Sequence, residues 1–292
     1  MASSIAEARR WYAEELRFTA KLGSPAVIEA FAAVPRERFL GPGPWRILSP
    51  MAMAEYWTTE DTDPRHLYHD VLVAIDEERR LNNGQPSLWA RMYDRLGLRR
   101  GAHIVHVGAG TGYYTAILAE IVGRAGRVTA IEVDTALAAR AAENLATEWP
   151  QATVVAADGF SFRPDRPADA IAVNAGVTHF STAWLDCLAE NGRLLVPLTG
   201  AERWGGFVMV TRPPSDARCY DASFVGGVGI IACVGGRDAI GEERLKAALA
   251  KSDFSAIRSL RRTPDEPDHT CWLAGEGWWL STAPVPNGSA NR

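Results

Sequence analysis

Apolar residues at Ile5, Ala8, Trp11 or Tyr12, and Leu16 recur at helical spacing and predict an amphipathic helix running to about Leu22. Ser24 before Pro25 reads as a second helix start. The hydroxyl would cap orphan N–H groups, and the proline fits a first turn that needs no N–H. Val27, Ile28 and Phe31 would form its buried face. Gly41-Pro42-Gly43-Pro44 stops any regular element, and from there to Asn83 the pattern is irregular, with one apolar run, Val71 to Ile75, as a candidate strand.

The pattern changes at His103. A short apolar run, His103 to Val107, ends at Gly108-Ala109-Gly110-Thr111-Gly112, and Ile117, Leu118, Ile121 and Val122 follow at helical spacing up to Gly123. Arg127 to Val133 reads as a strand, followed by a helix from Asp134 with Leu137, Ala141 and Leu145 on one face, ended by Pro150. Thr153 to Ala157 and Ala168 to Asn174 are two more strands, Thr182 to Ala189 a helix, and Arg193 to Val196 a fifth strand. Strands alternating with helices predict an α/β fold, a mainly parallel sheet with helices on both faces. After Pro197 the strands shorten and become glycine-rich: Phe207 to Thr211 and Phe224 to Val234, then a helix from Glu242 to Ala250. Cys271-Trp272-Leu273 and Trp278-Trp279-Leu280 flank Gly275-Glu276-Gly277 as a hairpin, and Pro284 to Arg292 reads as a frayed tail.

Composition narrows the function classes. Among 292 residues, 31 Lys and Arg stand against 35 Asp and Glu, a net charge of −4, with no basic surplus to displace counterions from nucleic acid. With 47% hydrophobic and 23% charged residues the chain is an ordinary globular one, and no apolar run is long enough for a membrane span. Met1 to Arg10 has no apolar core of a secretory leader. Cys187, Cys219, Cys233 and Cys271 lie far apart with no Cys-x-x-Cys pair, which reads as the thiols of a cytoplasmic protein. His66 and His69 beside Asp70 have metal-compatible spacing but no further ligand cluster, so no metal is expected.

The candidate chemistry sits at strand ends. Glycines in Val107-Gly108-Ala109-Gly110-Thr111-Gly112-Tyr113 let the backbone turn sharply and let a ligand approach the main chain. A dinucleotide fingerprint needs its third glycine one place later, where Tyr113 stands; Gly-x-Gly-x-Gly suits a ligand without a pyrophosphate and favours S-adenosyl-L-methionine over NAD. Glu132, 20 residues beyond Gly112 and followed by Val133, is placed to accept ribose hydroxyls, and Asp158-Gly159 to accept the adenine amino proton. Asn174-Ala175-Gly176 ends the fourth strand beside the ligand crevice of such sheets. Taken singly, each is also an ordinary turn or cap.

Together these residues carry a family resemblance. Ile104 to Tyr113, Asp158-Gly159 and Gly192-Arg193-Leu194-Leu195-Val196-Pro197 resemble a class I methyltransferase, and hence a Rossmann-like methyltransferase fold. More narrowly, Val34-Pro35-Arg36-Glu37-Arg38-Phe39, Tyr68-His69-Asp70, and Gln85-Pro86-Ser87 before an apolar helix are similar to the VPRExF, Y-x-D and S-Q-P elements of protein-L-isoaspartate O-methyltransferases. The resemblance runs from about residue 25 to 235. It implies methyl transfer from S-adenosyl-L-methionine to a carboxylate, typically the α-carboxylate of an L-isoaspartyl residue. It also implies a division into a helical substrate-loop region (1–100), a cofactor-binding core (101–236) and a C-terminal extension (237–292). The cofactor-binding set is His106, Gly108, Ala109, Gly110, Gly112, Tyr113, Glu132, Val133, Asp158, Gly159 and Asn174; the acceptor set is Asn83, Gly84, Gln85 and Ser87.

Two positions depart from the family pattern. Gly84 stands where a serine precedes Gln-Pro and helps hold the substrate, so Asn82, Asn83 or Ser87 would have to supply a donor, or the stretch is a plain turn. If only a donor were lost, Gly84→Ser would raise isoaspartyl activity. His106 stands where an acid usually ends the first strand; it either touches the cofactor or is a satisfied core histidine. The expected acceptor is a peptide, protein or small-molecule carboxylate. The alternatives are a methyltransferase of the same fold for a modified peptide or small metabolite, and a non-catalytic S-adenosylmethionine-binding module. Trp272, Trp278 and Trp279 either line a cleft or dock the tail, and Arg99-Arg100 and Arg261-Arg262 read as solvated surface.

Overall fold

The computed structural model of the protein describes residues 4–214, 218–262 and 266–286. In chain order the elements are α1 (Ile5–Thr19), α2 (Pro25–Ala33), β1 (Arg46–Ser49), β2 (Ala52–Thr58), β3 (Leu72–Asp76), β4 (Leu81–Asn82), α3 (Pro86–Leu96), β5 (His103–Val107) and α4 (Tyr113–Val122). Then follow β6 (Arg127–Glu132), α5 (Thr135–Leu145), β7 (Ala152–Ala156), β8 (Ala168–Val173), α6 (Thr182–Cys187), β9 (Leu188–Thr199), β10 (Trp204–Thr211) and β11 (Cys219–Gly229). The last elements are α7 (Ala239–Lys251), β12 (Ser259–Arg261), β13 (Cys271–Gly275) and β14 (Trp278–Ser281). Two compact units interleave in sequence: Met1–Ala102 with Ala109–Ala156, and His103–Gly108 with Ala157–Arg292.

In the first unit, Ser4 and Glu7 form a reciprocal capping box at the start of α1. Ser24 gives α2 no side-chain cap; the Asp94 carboxylate takes the N–H groups of Gly23 and Ser24 at 3.1 and 2.7 Å instead. Tyr12, Phe31, Phe39, Tyr68 and Tyr113 make edge-on and tilted ring contacts that bury α1 and α2 against α4. The stretch expected to be irregular is a four-stranded antiparallel sheet, in the order β2-β1-β3-β4, over a core of Trp45, Ile47, Leu67 and Val73. β6 and β7 pair in parallel.

In the second unit the strands lie in the order β13-β14-β12-β11-β10-β9-β8-β5. β5, β8 and β9 are parallel, and every pair from β9 onward is antiparallel. The sheet is therefore mixed, where the sequence pattern suggested a mainly parallel one. Gly200 to Arg203 turn β9 straight back into β10, and without a helical crossover the next strand must be antiparallel. β9 also begins at Leu188, cutting short the helix expected to reach Ala189. Residues Ile231 to Gly236 return to the end of β8: Gly176 N donates to Ile231 O and Cys233 N to Gly176 O, both at 2.8 Å, around a parallel bridge between Gly176 and Ala232. The extension continues the sheet. Trp278 meets Phe180 edge-on at 4.9 Å and so docks the tail on the core, whereas Trp272 meets Phe254 at 5.3 Å and donates Nε1 to Ser252 O at 3.1 Å, both within the extension itself. Of the tail expected to fray, residues 287–292 lie outside the described residues. Among the described residues no helix is long and apolar enough to cross a membrane.

Candidate functional site

The turn after β5 is built from left-handed glycines: φ is +83° at Gly108, +55° at Gly110 and +96° at Gly112, conformations that L side chains rarely adopt. Within the first unit, Gly110 N donates to Glu132 Oε2 at 2.7 Å and Asp134 N to Glu132 Oε1 at 3.1 Å. The acid ending β6 thus ties the glycine loop to the start of α5, and Val133 beside it is 45% exposed. Asn144 Nδ2 holds Thr111 O at 2.9 Å, and the buried Thr111 hydroxyl has no partner among the described residues. The Tyr113 side chain points into the aromatic core, where its hydroxyl lies 3.4 Å from that of Tyr12. Of this residue, the backbone is what the turn presents.

Within the second unit, Asn174 N donates to Val107 O at 2.8 Å, and a Cβ on Gly108 would come within 3.4 Å of the Asn174 backbone. His106 is 0% exposed and lies beside the Asn174 side chain. Burial pushes its pKa down to about 4, against a small opposing pull from Asn174, so the ring is neutral at physiological pH. A side chain with no accessible surface has none to offer a ligand, which makes His106 a support beneath the turn. Asp158 accepts Phe160 N and Ser161 Oγ, both at 2.9 Å. A Cβ on Gly159 would lie 2.5 Å from Val107 Cγ1, so only glycine fits. Gly235 packs on the Asp158 carboxylate, its ideal Cβ position 2.9 Å from Oδ2. No local sequence signal tied that glycine to Asp158.

The loop before α3 is organised by two charged residues far away in sequence. Asp70 accepts Ser87 N at 2.8 Å, Ser87 Oγ at 2.7 Å and Gln85 Nε2 at 2.8 Å, serving as the helix cap that Gln85 itself does not provide. Arg36 is wholly buried, and all of its donor directions are used: Nε to Asn83 Oδ1 at 3.1 Å, Nη1 to Leu67 O and His69 O at 2.9 and 3.2 Å, and Nη2 to Val71 O and Gly84 O at 2.8 and 3.4 Å. Asn82 Oδ1 accepts from Tyr56 OH. Elsewhere, His66 Nε2 lies 2.9 Å from Asp61 Oδ1, and no group of three or more His, Cys, Asp or Glu disposed to hold a metal occurs among the described residues.

A family model described as protein-L-isoaspartate(D-aspartate) O-methyltransferase matches residues 12–213. The chain belongs to this family. A Thermotoga maritima protein-L-isoaspartate O-methyltransferase is 32% identical over 181 residues, covering 60% of this chain and 51% of the relative, so the chain spans about half that protein's length. A Rhodopseudomonas palustris protein-L-isoaspartate O-methyltransferase 1 is 33% identical over 210 residues, 71% of this chain and 76% of the relative. A solved protein-L-isoaspartate O-methyltransferase superposes with a TM-score of 0.61 at 25% identity, covering 75% of this chain and 65% of that one. A Plasmodium falciparum structure described as a beta-aspartate methyltransferase in complex with S-adenosyl-L-homocysteine superposes with a TM-score of 0.58 at 18% identity, covering 77% and 97%. The Rossmann-like methyltransferase fold follows from these superpositions.

Within this isoaspartate methyltransferase frame, the departure at Gly84 has a conformational origin. Its φ is +75°, and a Cβ there would lie 2.8 Å from Trp89 Nε1 and 3.2 Å from Tyr114 Cε2. The Gly84 carbonyl accepts from Tyr114 OH at 3.1 Å. The simple restoration expected from the sequence, Gly84→Ser, therefore meets both a strained backbone and a filled space. Of the replacement donors Asn82, Asn83 and Ser87, Asn82 Nδ2 donates to Arg80 O at 3.3 Å, Ser87 Oγ is engaged by Asp70, and Asn83 meets Arg36 through its accepting Oδ1; Gln85 Nε2 is likewise held by Asp70. Arg36 and Asp70 lie in the motif strings, but their roles depend on contacts across more than fifteen residues, which spacing alone does not reveal.

Proposed function

We propose that this chain is an S-adenosyl-L-methionine-dependent carboxyl O-methyltransferase of the isoaspartyl type. The observation that carries the reading is the 2.7 Å bond from Gly110 N to Glu132 Oε2, which fixes a glycine turn and a strand-end acid as one unit. The residues fit the cofactor. The buried Thr111 hydroxyl has no partner among the described residues, and acidic acceptors stand at two strand ends.

In this reading the backbone of Gly108, Ala109, Gly110, Gly112 and Tyr113 holds the methionine and ribose portion. Glu132 with Val133 holds the ribose, Asp158 with Gly159 the adenine, and Asn174 borders the ligand above the neutral His106. Bound there, S-adenosyl-L-methionine supplies an electrophilic methyl group. A carboxylate acceptor, with a reference pKa near 4, is already a nucleophile at neutral pH, so no general base is required. The work left to the protein is alignment and exclusion of water. Asn83, Gly84, Gln85 and Ser87 form the acceptor loop, held in shape by Arg36 and Asp70. Residues 1–100 serve the acceptor, 101–236 the cofactor, and 237–292 extend the sheet. The wide spacing of Cys187, Cys219, Cys233 and Cys271, with no Cys-x-x-Cys pair, supports a cytoplasmic setting.

The test is incubation with an isoaspartyl peptide and methyl-labelled S-adenosyl-L-methionine, with base-labile label appearing in the peptide as the expected result. Cofactor binding by calorimetry without that label would overturn the isoaspartyl assignment. One observation favours a second acceptor, a modified peptide bearing another carboxylate: Gly84 has no hydroxyl, and the donors of Gln85 and Ser87 are engaged by Asp70. Label entering aspartyl or modified peptides, but not isoaspartyl ones, would select that reading.

A further inference from the structure

The hairpin of β3 and β4 lies over the glycine turn. Ile75 Cδ1, on β3, is 3.8 Å from the point where a Cβ on Gly110 would stand, and nothing else comes nearer. At the hairpin tip Arg79 donates Nη1 to Asp134 Oδ2 at 2.7 Å. Asp134 caps α5 through Oδ1, which accepts Ala136 N and Leu137 N at 3.0 and 3.1 Å. Its own N–H goes to Glu132 Oε1, while Glu132 Oε2 takes Gly110 N. Contacts thus close a ring: Ile75 over Gly110, Gly110 to Glu132, Glu132 to Asp134, and Asp134 back through Arg79 to the hairpin. The other side of the hairpin is anchored by Arg46, which grips Glu77 through Nε and Nη2 at 2.8 Å each. β4 then runs straight into Asn83 and Gly84.

We propose that Arg79 is a positioning residue, a latch that holds the β3–β4 hairpin over the bound cofactor and so sets how fast cofactor and product exchange. This rests on the cofactor assignment of the preceding section. The latch is suited to opening: the Arg79 side chain is 54% exposed, and such pairs are weak and screened by salt. Asp76, 3.8 Å from Arg79 Nη1, offers a second carboxylate within the hairpin when the contact to Asp134 is released.

The test follows dissociation of labelled S-adenosyl-L-homocysteine from the full chain in a chase, for wild type, Arg79→Gln, Arg79→Lys, Asp134→Asn and the double variant Arg79→Gln/Asp134→Asn. At low salt Arg79→Gln and Asp134→Asn should each release ligand about threefold faster, the double variant no faster than either, with Arg79→Lys near wild type. At high salt wild type should approach Arg79→Gln, because screening removes the same contact. Thermal midpoints, measured alongside, should move little for Arg79→Gln, which separates a latch from a purely structural contact. Equal release rates for wild type and Arg79→Gln at low salt, with the ligand bound by both, would overturn the latch and leave the cofactor assignment standing. Failure of the wild type to bind S-adenosyl-L-homocysteine at all would overturn both.

Discussion

Arg36 donates its Nε to Asn83 Oδ1 at 3.1 Å from a position with no exposed surface. A buried guanidinium with only amide and carbonyl acceptors is stable because five oriented dipoles replace its water. The consequence is geometric: one side chain ties the start of the acceptor loop, at Asn83 and Gly84, to Leu67, His69 and Val71.

Arg36→Lys should therefore be far from conservative. An ammonium has three donors at one point, leaving at least two of the five acceptors unsatisfied, at about 1–3 kcal/mol each. Urea unfolding should show a loss of that order, and methyl transfer should fall with it. Unchanged stability would remove Arg36 as organiser of the loop.

Gly84→Ser should lower stability by about 1–3 kcal/mol and bring no gain in isoaspartyl methylation, because a left-handed backbone resists an L side chain and Trp89 fills the space. Chemical denaturation and a methylation assay on the purified variant check both halves. A more active Gly84→Ser protein would show that the loop can rebuild itself around a hydroxyl.

Acid should destabilise the protein through His106. Its folded pKa of about 4 lies below the unfolded value near 6.5, so as pH falls the unfolded chain takes the proton first. The stabilisation is fully present above about pH 6.5 and is lost progressively toward pH 4, by about 3 kcal/mol. Comparing pH profiles of unfolding free energy for wild type and His106→Gln isolates this contribution. The variant should have the shallower slope across that window, and parallel profiles would refute it.

Trp278→Ala should destabilise by about 3–5 kcal/mol, since the indole is 2% exposed and packs edge-on against Phe180. Calorimetry on the intact chain measures the loss. A variant as stable as wild type would mean that the extension is merely laid on the core.

What the sequence disclosed was local. The run from β5 through the glycines to α4, and β6 ending at Glu132, could be read because turn, strand and helix signals stand side by side within thirty residues. The run Val71 to Ile75 marked β3, but β1, β2 and β4 escaped notice because the strands of this sheet are short, bulged and paired across loops, with burial that follows no strict alternation. Ser24 looked like a cap, but the cap is a carboxylate 70 residues away. The same blindness affected the acceptor loop. Residue types at 83, 85 and 87 reveal which hydrogen bonds are possible, whereas Arg36 and Asp70 decide which are made.

The return of Ile231–Gly236 to Gly176, and of Gly235 to Asp158, bears on how the protein can be cut. The family match stops at residue 213, just past β10. A recombinant fragment ending there would strip β11 from β10 and leave Phe207, Val208 and Val210 on an open, apolar edge, a ready template for strand-to-strand aggregation. The boundary of the family is not a boundary of folding, and expression of the minimal homologous region should yield inclusion bodies where the full chain yields soluble protein.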